Sequence, residues 1–275
     1  MPELPETETI ARDLDRAISG RSIAGAVVSR ADVLREVSAA ELVARTVGTR
    51  IVRSWRRAKL VVIDLDSGDH IVVQPRFTGA LLLDDGSLPE EERRFSTLHF
   101  LLDDGRLLHY RDIRRLGTVA LMGRARFDAY SSTLGIEPLD PELSAERLSV
   151  LLRGSRQAVK KLLMDQRIVV GIGNIYANEA LWRAGIDPSR EARSIGRDEA
   201  ERLHAGIVSV LTESIAARGT SFRDYRDASG GRGGFVEKLA VYGRGGEPCP
   251  RCGARLVETH AVDGRTTVFC ARCQE

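Results

Sequence analysis

The chain has 275 residues, of which 43% are hydrophobic and 29% charged, a composition typical of a globular protein long enough for two domains. Its 41 lysines and arginines nearly balance 39 aspartates and glutamates, so a nucleic-acid site, if there is one, must be a local face rather than a global basic field. No apolar run is long enough to span a bilayer and no signal-peptide pattern is present, so we expect a cytoplasmic protein.

The first eight residues place a proline and several carboxylates at the amino terminus. Because Pro2 is small, we expect Met1 to be removed, which would expose the secondary amine of Pro2. Such an α-amine titrates near ~8, so a useful fraction is neutral and nucleophilic at physiological pH. Its attack on a sugar carbon gives an iminium ion, and the carboxylates of Glu3 and Glu6 are placed to move protons for it. The alternative, which these residues alone favour, is an ordinary helix start with Pro5 in the first turn.

The first half of the chain predicts one helix followed by a β-sandwich. Residues 5–19 carry Ile10, Leu14 and Ile18 at helical spacing, and Gly20 follows as a stop. From residue 51 to residue 122, short apolar runs alternate with Asp/Gly turns, as in a sandwich or barrel. The predicted strands are Leu60–Leu65, His70–Val73, Ala80–Leu83, Leu98–Leu102 and Leu107–Tyr110. We therefore predict an N-terminal domain over residues 1–133.

Beyond a turn-rich boundary at residues 134–141, the apolar period becomes helical. Ser144 is the predicted cap of a helix that Gly154 ends, and a second helix runs from Val159 to Leu163. A glycine-bracketed turn at residues 171–174 opens a third helix, and Ser194 is the predicted cap of a fourth. These patterns give a helical domain over residues 142–220. The glycine run at residues 230–234 predicts a mobile loop, to which we assign residues 221–239.

All four cysteines lie near the end of the chain, as Cys249-Pro250-Arg251-Cys252 and Cys270-Ala271-Arg272-Cys273, with 17 residues between the pairs. This spacing predicts a zinc ribbon over residues 240–275, in which the four thiolates hold one structural zinc ion. Iron, or an unmetallated set of thiols, is the alternative. Asp263-Gly264 predicts a hairpin turn that brings Arg265 close to its tip. There Arg265 either meets a DNA groove or a phosphate, or is an ordinary solvated arginine.

Three segments taken together resemble the formamidopyrimidine-DNA glycosylase family. They are Pro2-Glu3-Leu4-Pro5-Glu6, Gly171-Ile172-Gly173-Asn174-Ile175-Tyr176-Ala177 and Val241-Tyr242-Gly243-Arg244, and Arg56-Arg57-Ala58-Lys59 and Asp112-Ile113-Arg114-Arg115 stay in register with them. The resemblance implies a repair enzyme that removes oxidised purines, such as 8-oxoguanine and formamidopyrimidines, and then nicks the abasic strand by β,δ-elimination. It also implies an α+β fold with an N-terminal β-sandwich and leading helix, a helix–two-turn–helix domain and a zinc finger.

The resemblance implies a catalytic role for five residues. Pro2 matches the nucleophile that attacks C1′ of the damaged nucleotide, Glu3 the acid that protonates the opening sugar, and Glu6 a carboxylate that supports this terminus. Lys59 resembles the lysine that holds phosphate near the lesion and assists elimination, although on pattern alone it is a solvated lysine at a strand end. Arg265 matches the finger arginine that clamps the phosphates around the flipped nucleotide.

The resemblance also implies contacts with the DNA backbone, which must be held while a base is swung out of the duplex. Asn174 resembles a turn asparagine that binds phosphate, and Arg156 and Lys160 occupy basic positions that the family uses in the same way. On pattern alone, Asn174 is an ordinary helix cap, and Arg156 and Lys160 form a solvated helix face.

Two stretches depart from the family pattern. Gln74-Pro75-Arg76-Phe77-Thr78-Gly79 stands where the family usually has His-Leu-Gly-Met-Ser-Gly, and Asp112-Ile113-Arg114-Arg115-Leu116-Gly117 where it has Asp-Pro-Arg-Arg-Phe-Gly. A flipped-out base leaves a gap in the stack, which the family fills with side chains from these stretches. We expect Phe77 to stack in the gap, Leu116 to act as a smaller wedge, and Arg114 to read the orphaned base with a preference for cytosine. The alternative is that Phe77 and Leu116 are core residues of the sandwich.

Three other functions compete with this interpretation. The first is the same chemistry with a preference for oxidised pyrimidines, as in the endonuclease VIII branch, which lacks the Leu-Pro-Glu continuation found here. A non-catalytic binder of damaged DNA would give Pro2, Glu3 and Lys59 no reason to occur together, and a structural zinc-ribbon protein would explain only the final segment. We therefore expect the partner to be double-stranded DNA with oxidised bases or abasic sites, bound by a monomer at the nucleoid, with no membrane involved.

Overall fold

The computed structural model describes residues 2–222 and 224–275, so the expected removal of Met1 concerns a residue outside this description. The chain divides into two compact units. The first combines Met1–Ser132 with Ile215–Val236, and the second combines Thr133–Ser214 with Glu237–Glu275. The first unit is therefore discontinuous in sequence. Within the described residues, no helix is both long and apolar enough to cross a membrane.

The helices and strands follow one another along the chain in a mixed order. They are α1 (Leu4–Ile18), β1 (Ile23–Val28), β2 (Leu34–Arg35), α2 (Ala39–Thr46), β3 (Ile51–Arg57), β4 (Leu60–Leu65), β5 (Asp69–Gln74), β6 (Gly79–Asp84), α3 (Glu90–Arg93), β7 (Ser96–Leu102), β8 (Leu107–Asp112), β9 (Thr118–Gly123), α4 (Arg124–Ser131), α5 (Ala145–Arg153), α6 (Val159–Leu163), α7 (Asn174–Ala184), α8 (Arg197–Ala216), β10 (Val257–Thr259) and β11 (Thr267–Phe269). Short 3₁₀ turns lie at Ala31–Val33, Ala192–Ser194 and Phe235–Lys238.

The first unit is a β-sandwich. One sheet has the strand order β2-β9-β5-β4-β3, antiparallel except for the short parallel β2/β9 pair, and the other has the antiparallel order β1-β7-β8-β6. Ile63 of the first sheet and Phe100 of the second share one buried core with Ile10 and Leu14 of α1. The periodicity of α1 thus serves to cover the sandwich, and the predicted α+β fold is confirmed.

The predicted helix and strands of this unit are all present, most of them one or two residues longer than expected. The elements missing from the prediction are strands β1, β2, β3 and β9 and helices α2, α3 and α4, of which β1 and α2 lie in a part of the chain where no element was expected. Most of β1 is half-buried or exposed and it contains Gly25, while Leu42 is the only fully buried apolar residue of α2, so neither shows a clear hydrophobic period.

The second unit contains α5 to α8 and the β10/β11 hairpin. As predicted, Ser144 caps α5, its Oγ accepting from Arg147 N at 3.2 Å, and Gly154 ends the helix. The predicted cap at Ser194 is wrong, because α8 begins three residues later and the Ser194 hydroxyl bonds to a carbonyl within its own 3₁₀ turn. The Glu199 carboxylate instead accepts from Gly196 N at 2.8 Å just before α8, so a residue inside the helix supplies the acceptor there.

Candidate functional site

The amino terminus of the first unit is buried, which an ordinary helix start does not require. Pro2 is buried, and the side chains of Glu3 and Glu6 belong to residues only 2% and 1% exposed. Glu6 Oε2 accepts a hydrogen bond from Glu3 N at 2.8 Å, and Glu6 Oε1 accepts one from Thr220 N at 2.7 Å. The first bond is typical of a helix cap, but the second joins residues 214 positions apart. Glu6 therefore fixes the backbone beside Pro2 to the segment that returns to this unit after α8.

That returning segment approaches α1 closely. Gly219 has φ +85°, and a Cβ placed on it would lie 2.9 Å from Glu6 Oε1. Arg218 pairs with Asp13 of α1 and, at 2.6 Å, with Asp227, and these two carboxylates raise the pKa of its guanidinium. Two anchors, one polar and one ionic, therefore hold the start of the segment on α1. Residues 230–234 contain no helix or strand, apart from an isolated bridge between Gly234 and Thr220.

Lys59 lies in the two-residue turn between β3 and β4, and it is half-buried rather than fully solvated. Arg56 ties this turn to α1, since its Nε bonds to Glu8 Oε2 at 2.7 Å and its Nη1 donates to Ala58 O at 3.1 Å. Burial raises the pKa of Glu8, but the guanidinium groups of Arg56 and Arg12 together outweigh this effect and hold the pKa below its ordinary value of 4.5. The turn that carries Lys59 is thus fixed to the same helix that carries Glu3 and Glu6.

Phe77 and Leu116 are 46% and 41% exposed, so the alternative that they are core residues is wrong. They lie in two neighbouring loops, 75–78 between β5 and β6 and 113–117 between β8 and β9. The loops are adjacent because Gly79 pairs with Asp112 at one side and β5 pairs with β9 at the other. The Arg114 guanidinium carbon lies 5.3 Å from the centre of the Phe77 ring, so the three side chains form one exposed group of two apolar residues and a cation.

In the second unit, one helix carries the tip of the C-terminal hairpin. Asn174 Nδ2 donates to Thr266 O at 3.0 Å, and Asn178 Oδ1 accepts from Val268 N at 2.8 Å. Asn174 is the first residue of α7, not its cap, which is Gly173. The cap alternative is therefore wrong, and the Asn174 side chain contacts the hairpin instead.

Lys160 is fully buried, so the interpretation of a solvated helix face is wrong at this position. Its Nζ donates to Thr267 Oγ1 at 2.7 Å and Thr266 O at 3.2 Å, and lies 3.4 Å from Asp263 Oδ1. An ammonium group enclosed in this way is not presented to a DNA phosphate. The predicted backbone contact is therefore corrected to an indirect role, in which Lys160 holds the hairpin that carries Arg265.

Exposed cations in the second unit surround an open cleft of about 460 Å³. Lys161, the neighbour of Lys160, lines this cleft together with Arg167 and Arg265. Arg265 is exposed, and its Nη1 lies 3.6 Å from Met164 Sδ. Arg156 is also exposed, just before α6. Asp165 and Asp263 also line the cleft, and Asp165 pairs with Arg167 at 2.7 Å, so Lys161 and Arg265 are the cationic donors best placed to meet an anion such as a phosphate.

The four cysteines of the second unit converge. The Sγ atoms of Cys249, Cys252, Cys270 and Cys273 all lie within 4.8 Å of one another, and those of Cys252 and Cys270 are 3.5 Å apart. Tetrahedral zinc with Zn–S bonds of about 2.3 Å separates its sulfur ligands by roughly 3.8 Å, so the donor set and its dimensions both fit. The cluster holds one structural zinc ion, as predicted.

Three family models match the chain: the formamidopyrimidine-DNA glycosylase N-terminal domain at residues 1–119, the formamidopyrimidine-DNA glycosylase H2TH domain at 134–226, and a zinc finger found in FPG and IleRS at 246–275. Formamidopyrimidine-DNA glycosylases from Heliobacterium modesticaldum and Laribacter hongkongensis are 41% and 42% identical to the chain over 281 and 276 residues, with both partners fully covered. The chain belongs to the formamidopyrimidine-DNA glycosylase family.

Solved structures of this glycosylase family superimpose on the whole chain. The MutM (Fpg) protein from Thermus thermophilus is 35% identical with a TM-score of 0.87, covering 99% of this chain and 98% of that one. A complex between the Lactococcus lactis Fpg and DNA containing an abasic site is 31% identical with a TM-score of 0.91, covering 99% of each chain. The family resemblance stated from the sequence motifs is therefore confirmed over the full length.

Several residues that shape this glycosylase were not found from its sequence. Thr220 gave no signal, because it acts through its backbone N–H. Gln166 forms the turn before α7, its Oε1 accepting from Gly171 N and its Nε2 donating to Ile172 O, both at 2.9 Å. Glu179 is buried in α7 and accepts from the backbone of residues 240–242 at 2.8–2.9 Å, and burial raises its pKa. A charged residue within the apolar period of α7 was the available signal for Glu179.

Proposed function

We propose that this enzyme is a base-excision repair DNA glycosylase with AP-lyase activity. It removes oxidised purines, 8-oxoguanine and formamidopyrimidines, from duplex DNA through an iminium (Schiff base) on Pro2. The observation that carries the proposal is the buried Glu6 carboxylate, which holds both Glu3 N and Thr220 N. A capping box explains only the bond from Glu3 N, whereas the bond from Thr220 N further fixes the backbone beside Pro2, as a nucleophile at the terminus requires.

The chemistry follows from an amine beside two carboxylates. Once Met1 is removed, the Pro2 nitrogen attacks C1′ and the bond from C1′ to the damaged base breaks; the base leaves with the electron pair and takes up the proton that the Pro2 nitrogen loses. Glu3 protonates the ring oxygen as the sugar opens, which leaves the iminium on C1′. Loss of the C2′ proton then expels the 3′ phosphate, and a second elimination expels the 5′ phosphate. Water finally releases Pro2 from the sugar remnant. Lys59 is proposed to hold phosphate and to assist these eliminations.

We assign the remaining predicted residues to the DNA. Arg265, Arg156 and Asn174 are proposed to contact backbone phosphates, Lys161 joins them from its position in the cleft, and Lys160 acts through the hairpin. The exposed group of Phe77, Arg114 and Leu116 is proposed to fill the gap left by the flipped nucleotide, with Arg114 reading cytosine.

We propose that four consecutive segments of the chain have different roles. Residues 1–133 carry catalysis, 142–220 the helix–two-turn–helix grip, 221–239 a mobile loop that caps the lesion, and 240–275 the zinc finger. The glycosylase is proposed to act as a monomer on double-stranded DNA at the cytoplasmic nucleoid. The wild-type Lactococcus lactis Fpg has been solved with DNA containing N7-benzyl-Fapy-dG, and the Lactococcus lactis Fpg has also been solved with abasic-site DNA, which supports this substrate class.

Borohydride trapping on duplex oligonucleotides tests the proposal. The wild-type protein should form a covalent complex with duplexes carrying 8-oxoguanine, a formamidopyrimidine or an abasic site, and less with oxidised pyrimidines. Pro2→Leu, shown by mass spectrometry to retain Met1, should form none, because the nitrogen of residue 2 is then an amide. Trapping that persists in this variant would remove Pro2 from the mechanism, and a preference for oxidised pyrimidines would favour the endonuclease VIII alternative.

Glu3→Gln separates base excision from DNA binding. The variant should bind abasic duplex as the wild-type protein does but lose excision, since the amide cannot protonate the opening sugar. Undiminished excision would show that Glu3 is only part of the helix start.

A further inference from the structure

A buried carboxylate lies beneath the two loops that carry Phe77, Arg114 and Leu116. Asp112, at the end of β8, is 2% exposed. Its Oδ2 accepts from Gly117 N at 2.8 Å, which closes the second loop, and its Oδ1 accepts from the hydroxyl of Thr78, which belongs to the first. One carboxylate therefore bonds to both loops at once.

The Thr78 hydroxyl extends this connection to the base-reading arginine. It donates to Asp112 and, with its lone pair, accepts from Arg114 N at 3.0 Å. The carbonyl of Thr78 also accepts from Arg111 Nη1 at 2.9 Å. A continuous chain of hydrogen bonds thus runs from Asp112 through Thr78 to the backbone of Arg114, next to the exposed guanidinium.

The space around this chain of bonds is filled. The Tyr110 hydroxyl donates to Asp112 Oδ2 at 3.3 Å, and burial raises the pKa of Tyr110, so the phenol stays protonated as a donor. A Cβ added to Gly117 would lie 2.0 Å from this hydroxyl, and one added to Gly79 would lie 2.3 Å from Pro75 O. Because the atoms between the two loops are closely packed, a small shift of either loop cannot replace a lost hydrogen bond.

Backbone strain in both loops requires such a restraint. Arg76 and Arg115 adopt left-handed conformations with φ of 51° and 52°, which non-glycine residues adopt at a cost. Each residue is next to a position proposed to enter the DNA, Phe77 in one loop and Leu116 in the other. Conformations of this kind persist where surrounding contacts over-determine them, and the hydrogen bonds of Asp112 supply those contacts.

We infer that Asp112 and Thr78 are positioning residues, which hold the loops of Phe77 and Arg114 in the register that reads the base opposite the lesion. The inference rests on the proposed function. Neither side chain contacts DNA in this scheme, since both are buried. Their effect is on specificity, because a bidentate contact to a base edge tolerates little displacement of the arginine that makes it.

A pair of substitutions at residue 78 tests this inference. Thr78→Val keeps the shape of the side chain and removes the hydroxyl, whereas Thr78→Ser keeps the hydroxyl. The preference for excising 8-oxoguanine opposite cytosine over adenine should fall about tenfold in Thr78→Val, the scale of one well-placed base contact, and should be restored in Thr78→Ser. Cleavage of a preformed abasic site should fall much less. Thr97→Val is the matched control, since the hydroxyl of this buried threonine of β7 donates to Tyr110 O at 2.9 Å, in β8 rather than in either loop.

A double-mutant cycle distinguishes positioning from general destabilisation. In an Arg114→Ala background, Thr78→Val should have little further effect on the opposite-base preference, because the two residues act on one contact. If Thr78→Val does not fold, Asp112→Asn replaces it in the test. Both oxygens of the Asp112 carboxylate accept hydrogen bonds, and in asparagine one of them becomes an NH₂ group, which cannot accept from the donors that face it. An active wild-type protein whose preference is the same in Thr78→Val and Thr78→Ser would overturn the inference alone. A wild-type protein without excision or trapping would overturn the proposed function instead.

Discussion

The two adjacent lysines of α6 give a direct test of how the zinc-finger hairpin is held. Lys160 is buried and bonds to the hairpin, whereas Lys161 is exposed and lines the cleft that contains Arg265. Substitution of each by methionine removes the same charge and keeps a similar side-chain length. We expect the two variants to fail in different ways.

The magnitude for Lys160→Met follows from the groups that it leaves behind. The ammonium lies 2.7 Å from Thr267 Oγ1 and 3.4 Å from Asp263 Oδ1, and the two charged side chains are 0% and 4% exposed. Asp263 Oδ1 also accepts from Arg265 N at 3.0 Å, and Oδ2 has no hydrogen-bond donor among the described residues, so without Lys160 the carboxylate keeps one backbone donor and loses its ion-pair partner. Removing one partner of a buried ion pair costs about 3–5 kcal/mol in the free energy of unfolding. Lys161→Met should change it by less than about 0.5 kcal/mol, as expected for a surface position.

Urea unfolding and DNA affinity measured against salt concentration separate the two roles. Lys161→Met should keep its stability and lower the slope of log affinity against log salt by about 0.9, the value for one lost phosphate contact. Lys160→Met should lower the stability of the second unit and weaken DNA binding because the hairpin is displaced. If both variants keep wild-type stability and lose the same salt slope, Lys160 contacts phosphate directly and our correction is wrong.

Four further predictions concern the amino-terminal site and the finger. Gly219→Ala should slow borohydride trapping more than Gly230→Ala. Both glycines have φ near +85°, so both substitutions strain the backbone equally, but only a Cβ at residue 219 would meet Glu6, whereas a Cβ at residue 230 would meet open space. Glu8→Gln should make the free energy of unfolding, measured in urea, depend less on pH in the acid range. Because the pKa of Glu8 is lower in the folded protein than in the unfolded chain, the unfolded chain binds more protons there. The stabilisation from Glu8 is therefore present above about pH 4.5 and is lost as the pH falls through the lowered pKa. Zinc chelation should abolish DNA binding while the first unit stays folded, and Arg265→Ala should weaken binding with a slope shallower by about 0.9; an unchanged slope would make Arg265 an ordinary solvated arginine.

Long periodic segments and the metal site could be predicted from the sequence. Local patterns correctly predicted α1 from its apolar periodicity and the strands between residues 60 and 110 from their short apolar runs. The spacing of the cysteines likewise predicted the metal site. The caps show the limit of such rules. Ser144 caps α5 as expected, but the Ser194 hydroxyl is taken by a nearby carbonyl and α8 begins without it.

Interactions between distant residues could not be predicted in this way. Lys160 and Lys161 are indistinguishable in a helix of five residues, which is too short to define a buried face. The partner of Glu6 is a backbone N–H, which any residue except proline would supply at position 220. The bond between Thr78 and Asp112 spans 34 positions, and only the pairing of β6 with β8 brings them together.

The discontinuity of the first unit sets an order of assembly during synthesis. Tyr225 and Ala228 contribute to the sandwich core, and Thr220 supplies a bond to Glu6, yet all three follow α8. A ribosome that has released only Met1–Ser132 has therefore delivered an unfinished sandwich. Helices α5 to α8 emerge next, before the segment with Tyr225 and Ala228 that completes that core. The carboxylate beside Pro2 thus acquires its second partner only after most of the chain has been translated, and a nascent fragment has Pro2, Glu3 and Glu6 without their final geometry.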